Sequence, residues 1–257
     1  MQKIELNYKH DGQLAEVILN DGRGNVLDHV MMQELNSIFN DLDKNPDIKI
    51  ITFEGAGKHF SFGASVEEHT REKAAEMLKG FHQMFYAITD LSIPTLAKIS
   101  GQCLGGGLEM ALVCNFMFAD QSAKLGQPEI ILGVFPPPAS VLLPLKIGVA
   151  RAEEFLITGQ TIDVETATKM GLLNYVFENK EQLNAGTDDW IQKNILPKSA
   201  SSLRYSVRSA RIVLNRVLKK NLKKLEKIYI NELMETHDAN EGINSFLEKR
   251  KPDWTNS

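Results

Sequence analysis

The chain reads as an α/β protein, and three observations carry that reading. Short apolar runs with strand character recur as Ala15 to Asn20, Ile48 to Glu54, Thr95 to Ser100 and Asn115 to Ala119. Between them lie segments whose apolar residues fall at helical spacing. Beyond about Asp188 the strand signals disappear and the remainder reads as helix, with a break at Pro197. Alternating strands and helices point to a mostly parallel sheet covered by helices, for which a three-layer sandwich is the simplest arrangement.

The elements follow in order. Met1 to Leu6, which contains Glu5, leads into a strand rather than an apolar leader. Asp28 suits a helix N-cap, and Met31, Leu35, Ile38 and Leu42 then line one face. A second helix is predicted over about 72–89, with Met77, Phe81, Met84, Phe85 and Ile88 on its apolar side and Pro94 beyond its end. Ser65 and Glu68 have the spacing of a capping box, which predicts a helical start at Ser65. Leu108 to Val113 reads as a buried helix.

Composition narrows the class without choosing the chemistry. With 257 residues, 43% hydrophobic and 24% charged, the chain has the balance of a soluble globular protein. No run approaches the roughly 20 apolar residues of a membrane span. Cys103 and Cys114 are the only cysteines and form neither a disulfide framework nor a thiol redox motif, so a cytoplasmic setting is expected. The net charge of −4 gives no general attraction to nucleic acid or anionic membranes. No nucleophile elbow, phosphate loop or zinc-binding helix motif occurs, and the six histidines lack ligand spacing.

Chemistry concentrates in three segments. Gly105-Gly106-Gly107-Leu108-Glu109 follows a strand and opens a helix, so backbone N–H groups are exposed there with no Cβ to hold a ligand away. Such an amide can hold a developing negative oxygen, with Glu109 about one turn further on. The same glycines also suit close helix–sheet packing. In Phe62-Gly63-Ala64-Ser65, Ala64 sits in a tight turn whose N–H can face a ligand. In Gly126-Gln127-Pro128-Glu129, the proline fixes the path by which Glu129 leaves a strand. Taken alone, Glu129 reads as a solvated loop glutamate rather than a catalytic one.

Together the segments Gly57 to Ala64, Ile99 to Glu109, Leu125 to Ile130, Leu156 to Gly159, Ala167 to Leu172 and Phe246 to Pro252 resemble the enoyl-CoA hydratase/isomerase, or crotonase, family over essentially the whole chain. That resemblance implies a coiled superhelix of strand–strand–helix turns with an all-helical C-terminal region, rather than a plain sandwich. It implies a crotonase core over 1–190 and a helical oligomerisation region over 191–257, in a homotrimer or homohexamer. It carries the amides of Ala64 and Gly106 over as the oxyanion hole and Glu109 and Glu129 as the catalytic carboxylates. Ser65, Val66, Glu67 and Lys249 become contacts for an acyl-CoA substrate. No metal or separate cofactor is implied, because coenzyme A arrives with the substrate. Both glutamates favour hydration over double-bond isomerisation.

One segment departs from common straight-chain hydratases, which have a glycine-rich turn where this chain has Gly133-Val134-Phe135-Pro136-Pro137-Pro138-Ala139-Ser140. Three prolines stiffen it and predict a differently shaped acyl pocket. With Phe60 to His69, this looks like the hydratases that act on cyclohexa-1,5-diene-1-carbonyl-CoA in anaerobic breakdown of aromatic acids through benzoyl-CoA. A general straight-chain hydratase and an enoyl-CoA isomerase stay open as alternatives. Nine basic residues between Arg204 and Lys227, opposed within that stretch only by Glu226, read as a solvated helix face or as attraction for phosphate. They leave a third reading, a crotonase-fold protein that binds RNA or scaffolds an assembly.

Overall fold

A computed structural model of the chain describes residues 1–257. Two strands open the chain, β1 (Ile4–Lys9) and β2 (Leu14–Leu19), followed by α1 (His29–Lys44). Asp28 does cap α1: its carboxylate accepts the Met31 N–H at 3.0 Å, and the predicted stripe Met31, Leu35, Ile38 and Leu42 is buried. Then come β3 (Ile50–Gly55), α2 (Ala74–Asp90), β4 (Thr95–Ile99), β5 (Gln102–Leu104), α3 (Gly106–Val113), β6 (Phe116–Asp120) and β7 (Lys124–Gly126). They are followed by α4 (Pro137–Ile147), α5 (Val149–Thr158), β8 (Thr161–Asp163), α6 (Val164–Lys169) and β9 (Tyr175–Phe177). The rest is helical: α7 (Lys180–Asn194), α8 (Ala200–Ala210), α9 (Ile212–Asn231) and α10 (His237–Leu247), with Pro197 in the break between α7 and α8.

The strands build two sheets rather than one. The first has the order β1-β2-β3-β4-β6-β9, parallel except for the antiparallel β1–β2 pair. The second is small, β5-β7-β8. Isolated bridges extend its pattern, pairing Leu27 with Ala64 and Ser61 with Cys103. Each turn of the chain therefore runs from a long strand, through a short extended piece, into a helix. The units are β2–Leu27–α1, β3–Ser61–α2, β4–β5–α3 and β6–β7–α4. This is the superhelix of strand–strand–helix turns, and it replaces the three-layer sandwich that alternation alone suggests. The short strands were illegible individually because three residues carry no periodicity.

Alternation along β2 sorts the two faces of the large sheet. Ala15, Val17 and Leu19 join the main core, together with Ile51, Phe53, Ala97 and Ile99 from β3 and β4 and the buried sides of α1 and α2. Leu14, Ile50 and Leu96 point the other way and pack with Phe118, Leu183 and Ile191 beneath α7. On that face Lys98 is buried and donates to Glu54 at 2.9 Å and Asn184 at 3.2 Å, so its charge is paired. These groups border a polar cavity of about 340 Å³, which contains none of the candidate site residues.

The C-terminal helices belong to the same core. Leu218, Leu222 and Tyr229 of α9 and Ala239 and Ile243 of α10 are buried within the main cluster. The basic run is correspondingly less free than its sequence implied. Arg211 is buried and donates to the Val113 carbonyl at 2.6 Å, Arg204 donates to the Asn45 carbonyl at 2.8 Å, and Lys219 pairs with Asp90. Acceptors from distant elements, invisible in a local charge count, hold three of the nine.

Candidate active site

The site forms where the second and third turns of the superhelix meet. Gly105, with φ +50° and ψ −128°, precedes α3, a backbone conformation open to glycine and strained for other residues. It turns the chain so that α3 starts at Gly106 beside the Phe62-Gly63-Ala64 segment. The approach is close: a Cβ on Gly106 would lie 3.1 Å from the Ala64 nitrogen and 2.9 Å from Cζ of Phe81. Gly63, at φ +101°, is packed as tightly, since a Cβ there would lie 3.2 Å from the Gly106 nitrogen. The Ala64 and Gly106 N–H groups are thus neighbours at a helix N-terminus, and neither donates to an acceptor within the chain. Two free amides converging at a helix start suit a developing oxyanion.

Glu109 lies one turn into α3 and is only 2% exposed. Every residue of α3 is buried, so this carboxyl cannot reach solvent. Its partner comes from the segment expected to be a stiff loop. Pro137 and Pro138 are instead the first two residues of α4, where a missing N–H costs nothing and the fixed φ suits the helix. Ala139 is therefore the first residue of α4 with an N–H, and it donates to Glu109 Oε1 at 2.7 Å. The prolines strip the helix end down to one amide and aim it at one carboxylate. The stiff-loop reading is corrected accordingly: only Gly133 to Pro136 connects, and the prolines pre-set a helix.

Glu129 leaves β7 through Gln127 and Pro128 into a single 3₁₀ turn, Pro128–Leu132. It is partly buried rather than a solvated loop residue. Its carboxyl lies against the Gly105 backbone, where a Cβ would approach Oε1 to 2.6 Å. Gln127 is fully buried beside it, and with its amide nitrogen turned toward Glu129 it donates to both oxygens at 3.1 and 3.0 Å. Burial pushes the Glu129 carboxyl up to about 8. Burial first, and then the charge of Glu129, hold Glu109 well above the ordinary carboxylate range, while the Ala139 N–H acts in the opposite sense. Two carboxyls in one dry site cannot both ionise easily, so the pair retains a proton near neutrality.

The four principal candidates, Ala64, Gly106, Glu109 and Glu129, are thus brought together. The remaining contacts are placed less centrally. Ser65, beside Ala64, donates its N–H to the Leu27 carbonyl at 3.4 Å. Val66 packs against the main core and Glu67 is exposed on the short 3₁₀ turn Val66–Glu68. The capping box does not form: the Ser65 hydroxyl makes no cap bond, and Glu68 Oε1 accepts the His29 N–H at 3.2 Å instead. Lys249 is exposed just beyond α10, at φ +56°, and makes no side-chain contact with the four. His59 and His69 have structural roles: His59 Nδ1 accepts the Gln102 N–H at 3.0 Å, and His69 Nδ1 lies 2.7 Å from the Ser65 carbonyl.

Three residues escaped the sequence reading. Ala139 and Gln127 looked like ordinary neighbours of a proline. Tyr229 of α9 packs edge-on against Phe135, with ring centroids 5.4 Å apart, although it lies far along the chain. Only the adjacency of Gln127 to Pro128-Glu129 offered any signal.

Comparison with known proteins shows the family. The family model described as enoyl-CoA hydratase/isomerase matches residues 9–257. A cyclohexa-1,5-dienecarbonyl-CoA hydratase from Thauera aromatica is 41% identical over 96% of this chain and 95% of its own. A Mycobacterium bovis protein described as a probable enoyl-CoA hydratase is 32% identical over 96% of each chain. Among solved structures, an enoyl-CoA hydratase from Mycobacterium avium superposes with a TM-score of 0.86, covering 98% of both chains at 21% identity, a likeness of fold. The chain belongs to the enoyl-CoA hydratase/isomerase family.

Proposed function

We propose that the protein is a hydro-lyase that adds water to an α,β-unsaturated acyl-CoA thioester, with cyclohexa-1,5-diene-1-carbonyl-CoA as its substrate. The carrying observation is the convergence of two carboxyls, the buried Glu109 and the partly buried Glu129, on a pair of free amides at the start of α3. The thioester oxygen accepts from Ala64 and Gly106, which stabilise it as it gains charge. Water loses a proton to Glu109 as its oxygen bonds to the β-carbon, and the π electrons shift toward the thioester. Glu129 returns a proton to carbon, at the γ-position for a cyclic diene and at the α-position for a simple enoyl group. Proton exchange between the two carboxyls then resets the site.

The roles follow from the environments. Glu109 is assigned the base on one contact: it accepts a helix-terminal N–H, which favours its charged form against the burial and the Glu129 charge that raise it. Glu129 is pushed up to about 8 and holds its proton at neutral pH, as an acid must. The cyclic substrate is supported by the Thauera aromatica relative, and the edge-on aromatic pair Phe135–Tyr229 lies beside the α4 start. Coenzyme A is carried by the substrate, and Ser65, Val66, Glu67 and Lys249 are its proposed contacts. We place the enzyme in the cytoplasm as a trimer or hexamer, with a core over 1–190 and a helical assembly region over 191–257. Incubation with a panel of cyclic and straight-chain enoyl-CoA thioesters, read by mass analysis for the gain of one water, tests this. No gain with any thioester would refute it.

A further inference from the structure

Tyr229 carries a polar group that the reaction scheme leaves unused. The residue is 1% exposed, and its hydroxyl is buried with no hydrogen-bond partner in the chain. Buried polar groups are ordinarily paired, because an unpaired one forfeits its hydration with no return. Its ring packs edge-on against Phe135, at 5.4 Å and 64°. Phe135 lies on the short connection between Glu129 and Ala139, the donor to Glu109. Both carboxyls act electrostatically on the phenol. After burial, the charges of Glu129 and then Glu109 push its ionisation further up. The hydroxyl therefore stays protonated throughout the working range, as a hydrogen-bond donor and never a base.

We propose that the Tyr229 hydroxyl is a third polar group of the active site, donating a hydrogen bond to the oxygen that is added. In the forward direction that oxygen is the attacking water, and after addition it is the product hydroxyl. The assignment rests on the hydration reading and extends it. Of the polar atoms in the reaction, the thioester oxygen is taken by the Ala64 and Gly106 amides. Glu109 and Glu129, one as acceptor and one as proton carrier, leave a lone pair on the incoming oxygen unfilled. A neutral donor there fixes the water's orientation without competing for its proton. It also makes α9 part of the catalytic machinery rather than packing alone.

Tyr229→Phe removes the oxygen and keeps the ring against Phe135. Binding is compared in a background carrying both Glu109→Gln and Glu129→Gln, where turnover of bound ligands is suppressed. The two ligands are a β-hydroxyacyl-CoA and the saturated acyl-CoA of the same skeleton, both titrated by calorimetry. The phenylalanine change should weaken the hydroxyacyl ligand about tenfold and leave the saturated one within about twofold, the scale of one neutral hydrogen bond. In the otherwise native enzyme the same change should lower kcat about tenfold with KM nearly constant, and thermal denaturation should show an unchanged or raised Tm. Equal weakening of both ligands, or of neither, would overturn the assignment. Failure of the native enzyme to hydrate any thioester would instead overturn the hydratase reading, and this one with it.

Discussion

The amide nitrogen of Ala139 lies 2.7 Å from Oε1 of Glu109, and it is the first N–H that α4 possesses. Two prolines ahead of it leave the helix end a single donor, so the macrodipole and the hydrogen bond act on the same carboxylate. This one contact links the proline segment to the base of the proposed reaction.

Ala139→Pro should therefore delete that donor while fitting the first turn of α4, where a helix tolerates proline. A hydrogen bond to a charged group contributes about 1.5–3 kcal/mol. We expect kcat to fall by roughly 10- to 100-fold, with the acid limb of the pH–rate profile moving upward as Glu109 becomes harder to ionise. Circular dichroism should show a folded protein. An unchanged acid limb would mean that Ala139 does not tune Glu109.

Glu109→Gln and Glu129→Gln should each lower hydration by about 100-fold or more. Their stabilities should respond to pH in a defined direction. The Glu129 carboxyl is raised in the folded protein to about 8 from the ordinary 4.5. Its favourable contribution is complete below pH ~4.5 and is lost as pH rises through about 8, because only the unfolded chain ionises freely in between. Glutamine stays neutral, so Glu129→Gln should melt higher than the native protein at pH 8.5, by at least ~2 °C, and not at pH 4.5. Equal melting shifts at both values would remove the raised carboxyl from the account.

Gly105→Ala tests the placement of Glu129. Its Cβ would fall 2.6 Å from Glu129 Oε1 on a backbone at φ +50°. The carboxyl must move, so activity should drop at least about 10-fold through kcat, a displacement of a reacting group by about 1 Å being enough. Native activity would show that the Glu129 carboxyl does not work from this position.

Much of this was legible in the sequence, for physical reasons that differ by element. The α1 stripe and its Asp28 cap are local, with every partner within one or two turns, and they form as spaced. Glu109 was visible because it follows the glycine triplet by about one helical turn and falls at a carboxylate position of the family it resembles. The Ser65–Glu68 box failed because Glu68 is claimed by the His29 amide at the start of α1. The strands β5, β7 and β8 exist only through pairing with one another. Tyr229 and Ala139 were beyond reach because their partners are brought by the superhelix, not by neighbouring sequence. The basic run misled in a similar way, since carbonyls of other elements absorb Arg204 and Arg211.

An apolar surface is our proposed contact between subunits. Ile131 and Ile157 are 62% and 70% exposed, and Ile130 and Ile131 both border Gly159, just past the end of α5. Sedimentation should give a trimer or hexamer, and the pair of changes Ile131→Glu and Ile157→Glu should shift it toward monomer while the chain stays folded. Truncation at about Asp188 is expected to cost folding itself, because Leu218, Leu222, Tyr229 and Ile243 belong to the main core. A folded, active truncated chain would contradict that packing.

The most direct test of the central claim is the ratio of kcat/KM for cyclohexa-1,5-diene-1-carbonyl-CoA over crotonyl-CoA, with product identified by mass. A ring that fills the proposed acyl site is favoured over a short chain, since each poorly filled methylene-sized gap is worth about 1–3 kcal/mol. Hydration of the cyclic diene should be preferred by roughly a hundredfold or more, and Glu109→Gln should lower it by about 100-fold or more. Equal efficiency on crotonyl-CoA would contradict the proposed ring preference, and near-native hydration by Glu109→Gln would contradict the two-carboxylate mechanism itself.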